Sequence, residues 1–167
     1  MKRSAAIGAA LLLACTLTGQ AQEKISDGVV KIGMLEDMSS IYADITGVGA
    51  VTAAKMAVED FGGKVLGKPI EVVSADHQNK PDIASATARE WFDNQHVDAL
   101  MDVAASATAL AAIDVAKTKN KIVVLNGPGA ARITNEACTP VSIHYTYDNY
   151  ALSHGTGAAM VKEGYDT

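Results

Sequence analysis

Short β-prone apolar runs alternate with helix-length segments along this chain, and that alternation constrains its fold more than any other feature. Val29 to Leu35 is a β-rich run; Val51, Ala54, Val58 and Phe61 then recur at helical spacing until Gly62-Gly63 stops the helix. Pro69 to Val73 reads as a second strand. Pro81 and Asp82 suit the first turn of a helix running to about Gln95 and carrying Ile83, Trp91 and Phe92. Val97 to Val103 is a third strand, Ala107 to about Thr118 a third helix, and Lys121 to Leu125 a fourth strand that ends at Gly127-Pro128-Gly129. Val141 to Tyr145 reads as a further short strand, and Tyr150 to Glu163 as a helix closed by Gly164. Strands alternating with helices of roughly 10–15 residues predict an α/β fold with a doubly wound parallel sheet. In such sheets ligands sit beyond the carboxyl ends of the strands, where the winding reverses. With the second strand outside the first, the reversal falls between the first and third strands. The loops there are Glu36 to Thr46 and Ala104 to Thr108, with Asn126 to Arg132 alongside.

The N-terminus is read as outside this fold. Lys2 and Arg3 precede a short apolar run from Ala5 to Leu17, and Gly19-Gln20-Ala21 offers the small residues a signal peptidase reads. Residues 1–21 are therefore expected to be a secretory signal, leaving 22–167 as one domain. Leu12-Leu13-Ala14-Cys15 also resembles a lipobox, so a lipid anchor at Cys15 is the rival, disfavoured by the bulk of Leu13. Cleavage after Ala21 removes two basic residues and no acid, which takes the formal charge from −5 to about −7. No basic run remains, so nucleic acid and anionic membrane surfaces are not expected partners. The remaining chain, about 146 residues, is long enough to bury a core. Cys138 would then be its only thiol, either buried and inert or paired with sequence not present here.

The chemistry concentrates where the third strand meets the third helix, from Asp98 to Ile113. Here Ala104-Ala105 leads into Ser106, Ala107 and Thr108. A helix start leaves backbone N–H groups unpaired, and two hydroxyls beside them suit an anion such as a carboxylate. Ser106 reads either as a simple helix cap or as a ligand hydroxyl. The first loop adds Asp37, Ser39, Ser40 and Tyr42, whose ring offers a flat apolar face with a hydroxyl. Gly127 to Ala131, including Gly129 and Ala130, is either a plain turn or a wall that lets a ligand approach the main chain. Tyr145, Tyr147 and Tyr150 form the densest aromatic cluster in a chain poor in aromatics, divided between core and pocket.

Catalytic readings find little support. Gly47-Val48-Gly49 lacks the third glycine of a dinucleotide fingerprint, and neither a phosphate loop nor a nucleophile elbow is present. His77, His96, His144 and His154 lack metal-ligand spacing and read as solitary surface histidines. Asp76-His77 reads as structural rather than as an acid–base pair. No nucleophile, base and oxyanion set converges, so no catalytic residue, metal or cofactor is expected.

Several stretches together resemble the amino-terminal lobe of periplasmic solute-binding proteins of the branched-chain amino acid type. They are Val30 to Ser40, Gly62 to Val73, Asp76 to Pro81, Asn120-Lys121, Ala137 to Pro140 and His144 to Asp148. The resemblance implies a type I periplasmic binding fold of two lobes closing over one solute, with no reaction and no cofactor. It implies a periplasmic location, a monomer, and the membrane subunits of an ABC importer as partners. It also implies ligand contacts from Ser106 and Thr108, from Gly129 and Ala130, and from Tyr42. Amino-acid binders of the family usually place a Thr hydroxyl where this chain has Gly-Pro-Gly-Ala-Ala, which counts against an amino acid, and the Tyr cluster resembles the branch that takes aromatic or other organic acids. The chain stops at Thr167, where the family's next strand begins, which reads as a truncated product or an incomplete sequence. Two rivals remain: a ligand-sensing module of a receptor, and a secreted α/β hydrolase.

Overall fold

The strands β1 (Val30–Glu36), β2 (Lys64–Val65), β3 (Lys68–Asp76), β4 (Ala99–Asp102), β5 (Ile122–Leu125) and β6 (Ser142–His144) form one sheet in the order β2-β3-β1-β4-β5-β6. This is a computed structural model, and it describes residues 26–165. The secretory signal and the Cys15 anchor expected from the sequence lie outside the described residues. All neighbouring strands are parallel except the β2–β3 pair. β1 is flanked by β3, with Glu36 level with Asp76, and by β4, with Met34 level with Met101. The winding therefore reverses between β1 and β4, where the sequence placed it.

Four helices connect the strands: α1 (Gly47–Asp60), α2 (Pro81–Asp93), α3 (Ser106–Lys119) and α4 (Asn149–Lys162). Strand residues alternate between faces. Leu35, Leu100, Val123 and Leu125 point to one face and join Trp91, Phe92, Ala109, Ala112 and Ile113 in the core under α2 and α3. Each fully buried leucine or isoleucine here contributes about 1.5–3 kcal/mol. Gly33 serves that packing directly, because a Cβ at this position would lie 2.6 Å from the Trp91 ring. On the opposite face Ile32, Met34, Ile70 and Met101 meet α1. Between α1 and the sheet lies a cavity of about 600 Å3, bounded at the carboxyl ends of the strands by Asp102 and Asn126.

The helix ends follow local chemistry. Pro81 opens α2, and Asp82 sits in its first turn, where a negative charge is favourable. Asn120, in the left-handed conformation, ends α3 behind Lys117 and Lys119. The Asp148 carboxylate caps α4 by accepting the Ala151 N–H at 2.7 Å. At its other end Gly164 (φ 93°) closes a Schellman motif, with Tyr165 N–H on the Met160 carbonyl and Gly164 N–H on Val161. α4 buries none of its residues.

Three details differ from the sequence reading. β2 was not expected; it pairs with β3 through a two-residue turn at Leu66 (φ 49°) and Gly67 (φ 76°). This is a turn geometry that sequence seldom builds on leucine. Cys138 is exposed, which removes the reading of it as a buried thiol. His77 is fully buried rather than a surface histidine, and His144 is half-buried. Both rings lie under loops whose packing only the assembled sheet brings together.

Candidate functional site

Three loops leave the carboxyl ends of β1, β4 and β5 side by side. The first winds around Asp37, whose buried carboxylate accepts the N–H of Ser40 (2.8 Å) and Tyr42 (3.0 Å) and the Ser40 hydroxyl. Burial alone would raise the Asp37 pKa, but these hydrogen bonds prevail and hold it below the usual carboxylate range. Asp76, at the end of β3, ties the same loop from outside by accepting the N–H of Met38 (3.0 Å) and Gln78 (2.7 Å). Burial opposes its ionisation, and hydrogen bonds from Ser39, Met38 and Gln78 overcome that too. Tyr42 is thus carried, half-buried, on a loop fixed at two points. Asp37 and Ser40 tie the loop to itself.

The second loop begins with two consecutive non-glycine residues in the left-handed region, Asp102 (φ 73°) and Val103 (φ 47°). For a β-branched residue that conformation is costly and marks a place the surroundings over-determine. α3 then starts one residue earlier than the sequence suggests. Ala105 is its N-cap, in extended conformation and with no side-chain cap, so Ser106 is the first helical residue and not the cap. The amides of Ser106, Ala107 and Thr108 have no carbonyl within the helix to bind. Ala107 is exposed and Ser106 half-buried. The Ser106 Oγ accepts the Ala130 N–H at 3.2 Å, joining this loop to the one after β5.

Thr108 is placed differently from the sequence expectation. It is fully buried, and its hydroxyl donates to the Ala105 carbonyl at 2.9 Å. Its Oγ1 also lies 3.4 Å from the His77 Nε2. Only its main-chain N–H belongs to the uncapped helix start. Burial lowers the His77 pKa against the pull of Asp37 and Asp76, so the ring is neutral. Its Nδ1 accepts the Asn79 N–H at 3.0 Å, which assigns the ring proton to Nε2, facing Thr108.

The third loop is laced to the β6–α4 connection through four successive carbonyls. Asn126 O accepts the Thr146 hydroxyl (2.6 Å), Gly127 O the Tyr147 hydroxyl (3.4 Å), Pro128 O the His144 ring (2.7 Å) and Gly129 O the Asn149 N–H (2.7 Å). Gly127 lies so close to the second loop that a Cβ there would stand 2.9 Å from the Ala104 Cβ. A Cβ at Gly129 would stand 2.5 Å from the Asn149 Oδ1. Of the candidates on this loop, then, Ala130 already spends its N–H on Ser106, and Gly129 is small to admit Asn149. Tyr147 ties the loop and stays about half exposed, whereas Tyr150 sits on α4 stacked against His154, 5.1 Å between ring centroids. Structure thus brings Ser106, Ala107, Ala130 and Tyr147 to one laced rim beside the Tyr42 loop, and leaves Tyr150 on a separate helix.

Sequence reasoning missed two features of this rim. Thr146 and Asn149 lace the β5 loop, a role their spacing does not advertise. Glu36, the last residue of β1, is completely buried, and neither of its carboxyl oxygens meets a hydrogen-bond partner in good geometry. Burial, and secondarily the Asp102 charge, push its pKa up to about 9, only partly offset by the Thr46 hydroxyl and the Val103 N–H that face it. Burial raises the Asp102 pKa as well. Among the described residues no three His, Cys, Asp or Glu side chains gather as a metal site, and no helix is long and apolar enough to cross a membrane.

Comparison with known proteins adds a consistent set of relatives. The family model described as "Periplasmic binding protein" matches residues 29–167. A periplasmic binding protein from Burkholderia mallei is 57% identical, with a TM-score of 0.79 over 82% of this chain and 36% of its own. A branched-chain amino acid ABC transporter periplasmic ligand-binding protein from Burkholderia xenovorans is 43% identical, with a TM-score of 0.76 over 81% of this chain and 36% of its own. A solute-binding protein of an ABC transporter from Rhodopseudomonas palustris, in complex with 3,4-dihydroxybenzoic acid, is 25% identical, with a TM-score of 0.74 over 83% and 37%. The chain spans little more than a third of the length of these structures. No curated protein matches it.

Proposed function

The chain belongs to the periplasmic binding protein family, and from that premise we propose that it captures a small carboxylate-bearing solute for an ABC importer. The observation that carries this reading is the start of α3: no side chain caps it, and it opens at the sheet's switch point beside a loop tied to it through Ser106 and Ala130. Aligned N–H groups and the helix dipole favour a negative charge there. The Ser106 oxygen accepts from Ala130 and retains its own proton to donate, so one hydroxyl can bridge the protein and a carboxylate. The Tyr42 loop lies along the same rim and supplies a flat ring for an apolar body.

The relatives point to two solute classes, branched-chain amino acids and hydroxylated benzoic acids. The described rim favours an aromatic or other organic acid. The Gly-Pro-Gly-Ala-Ala loop carries no side-chain hydroxyl or carboxylate for an ammonium group, and its main-chain carbonyls from Asn126 to Gly129 are already engaged. In this reading residues 1–21 are the export signal, residues 22–167 form the amino-terminal lobe, and a second lobe completes the enclosure. Binding, without turnover, is the function.

Calorimetry decides it. Benzoate and 4-hydroxybenzoate are expected to bind the protein carrying both lobes, while benzamide, which lacks the charge, is not. Equal affinity for benzoate and benzamide would overturn the carboxylate reading. Binding of leucine in preference to either would move the solute class to amino acids.

A further inference from the structure

We propose that Glu36 is a protonated positioning residue, whose neutral carboxyl holds the Asp102–Val103 turn and so aims the uncapped amides of α3 at the solute. The inference deepens the carboxylate reading given above and rests on it. Its starting point is geometry. Glu36 is fully enclosed at the end of β1, its two oxygens lack partners in good geometry, and the neighbouring strand turns there through two left-handed residues, one of them a valine. A buried, unsatisfied carboxyl beside a strained turn is costly on both counts, and such a pair persists only where the surroundings fix it.

A protonated carboxyl resolves the conflict. It carries one O–H to donate and one carbonyl oxygen to accept, whereas a carboxylate can only accept. The group facing Glu36 from β4 is Asp102, an acid, and the Val103 N–H after it is a donor; the Thr46 hydroxyl faces it from the loop before α1. Neutral Glu36 can therefore donate towards Asp102 and accept from Val103, the two residues whose backbone is left-handed. Ionised Glu36 would set two anions against each other away from water. Among the described residues, the charged groups packed around this end do not relieve them. Asp76 on β3 and Asp37 on the following loop are held by their own N–H donors, and His77 is neutral and faces Thr108. Lys55, Glu59 and Asp60 of α1 are exposed, the first turn of α3 carries no acid, and the residue that follows β5 at this end is Asn126, an uncharged amide. Three residues separate Val103 from Ala107, so a change at the turn is passed directly to the helix start.

The test is a carboxyl-carbon NMR titration of the full chain without any solute, read together with the amide resonances of Val103, Ser106, Ala107 and Thr108. Glu36 is expected to titrate near the value of about 9 to which burial raises it, and those four amides are expected to shift with the same midpoint. In Glu36→Gln, which keeps the shape and cannot ionise, they should stay at their neutral-form positions from about pH 6 to about pH 10. A Glu36 midpoint in the ordinary range near 4.5 would overturn the proposal. So would amides that ignore the Glu36 midpoint, or the same amide titration persisting in Glu36→Gln. If that variant does not fold, the wild-type midpoints decide alone. Because no solute is present, failure of the carboxylate reading would show in the calorimetry above and leave these midpoints untouched.

Discussion

The Ser106 hydroxyl accepts the Ala130 N–H across 3.2 Å, so the start of α3 and the loop after β5 form one wall. Removing that hydroxyl removes the tie and, in the proposed function, a donor for the solute. Ser106→Ala is expected to lower stability by about 0.5–1.5 kcal/mol, the net worth of one hydrogen bond, and to weaken binding of a carboxylate by about 1.5–3 kcal/mol. Urea unfolding reads the first and calorimetry with benzoate the second. An unchanged benzoate affinity would remove Ser106 from the site while leaving its structural tie intact.

Gly33 lies beneath Trp91, and a methyl group there would meet the ring at 2.6 and 2.7 Å. Trp91 is packed in the core and cannot swing aside as a flexible chain end would. Gly33→Ala should therefore destabilise the chain by about 1–3 kcal/mol through overpacking. Trp91 is the sole tryptophan, so its fluorescence reports both the unfolding midpoint and any displacement of the ring in the folded state. Wild-type stability in this variant would mean that Trp91 does not rest on the sheet at Gly33.

The main strands and the switch point were legible because β-branched runs and helical spacing are local signals. β2 was not, because its turn rests on Leu66 in a left-handed conformation that nothing in the residue type announces. The start of α3 shifted by one residue because Ala105, with no hydroxyl, takes the extended cap position while Ser106 turns its oxygen to Ala130. Thr108 was expected to offer its hydroxyl to a ligand, yet His77 and the Ala105 carbonyl enclose it once α3 lies on the sheet. Glu36 read only as the start of the first loop. Its burial depends on Thr46, Asp102 and Val103 arriving from two other segments, which no single stretch of sequence encodes.

Stability should depend on pH with opposite signs on the two sides of neutrality. Asp37 and Asp76 have lowered values in the fold, so their contribution is present above the ordinary 3.8 and lost as pH falls through the folded value. His77 is also lowered, by burial, so its contribution is present above 6.5 and lost as pH falls. Glu36 is raised, so its contribution is full below about 4.5 and is lost as pH climbs to about 9. Above pH 6.5 Glu36, raised to about 9, is the shifted group still acting. The unfolding free energy is therefore expected to fall between about pH 6.5 and about pH 9, and separately in acid. Urea midpoints across this range check it. Asp37→Asn should reduce the acid-side loss, to which Asp76 and His77 still contribute, and leave the alkaline side unchanged; a profile level from neutrality to pH 9 would contradict the buried state of Glu36.

Two glycines three positions or fewer from Ala130 make contrasting predictions, because what each would strike differs in stiffness. A Cβ at Gly127 meets Ala104 at its Cβ (2.9 Å) and Cα (3.1 Å), a short, fixed group on a buried turn. A Cβ at Gly129 meets the Asn149 side-chain amide at 2.5 Å, which can rotate away without moving main chain. Gly127→Ala is therefore expected to cost about 1–3 kcal/mol and to push the β4 and β5 loops apart, weakening benzoate binding with it. Gly129→Ala should cost less than about 1 kcal/mol and leave the Gly129 carbonyl on the Asn149 N–H. Paired denaturation and calorimetry of the two variants would show the contrast. Equal costs would mean that Ala104 yields as readily as Asn149, and that the wall between these loops is softer than its geometry indicates.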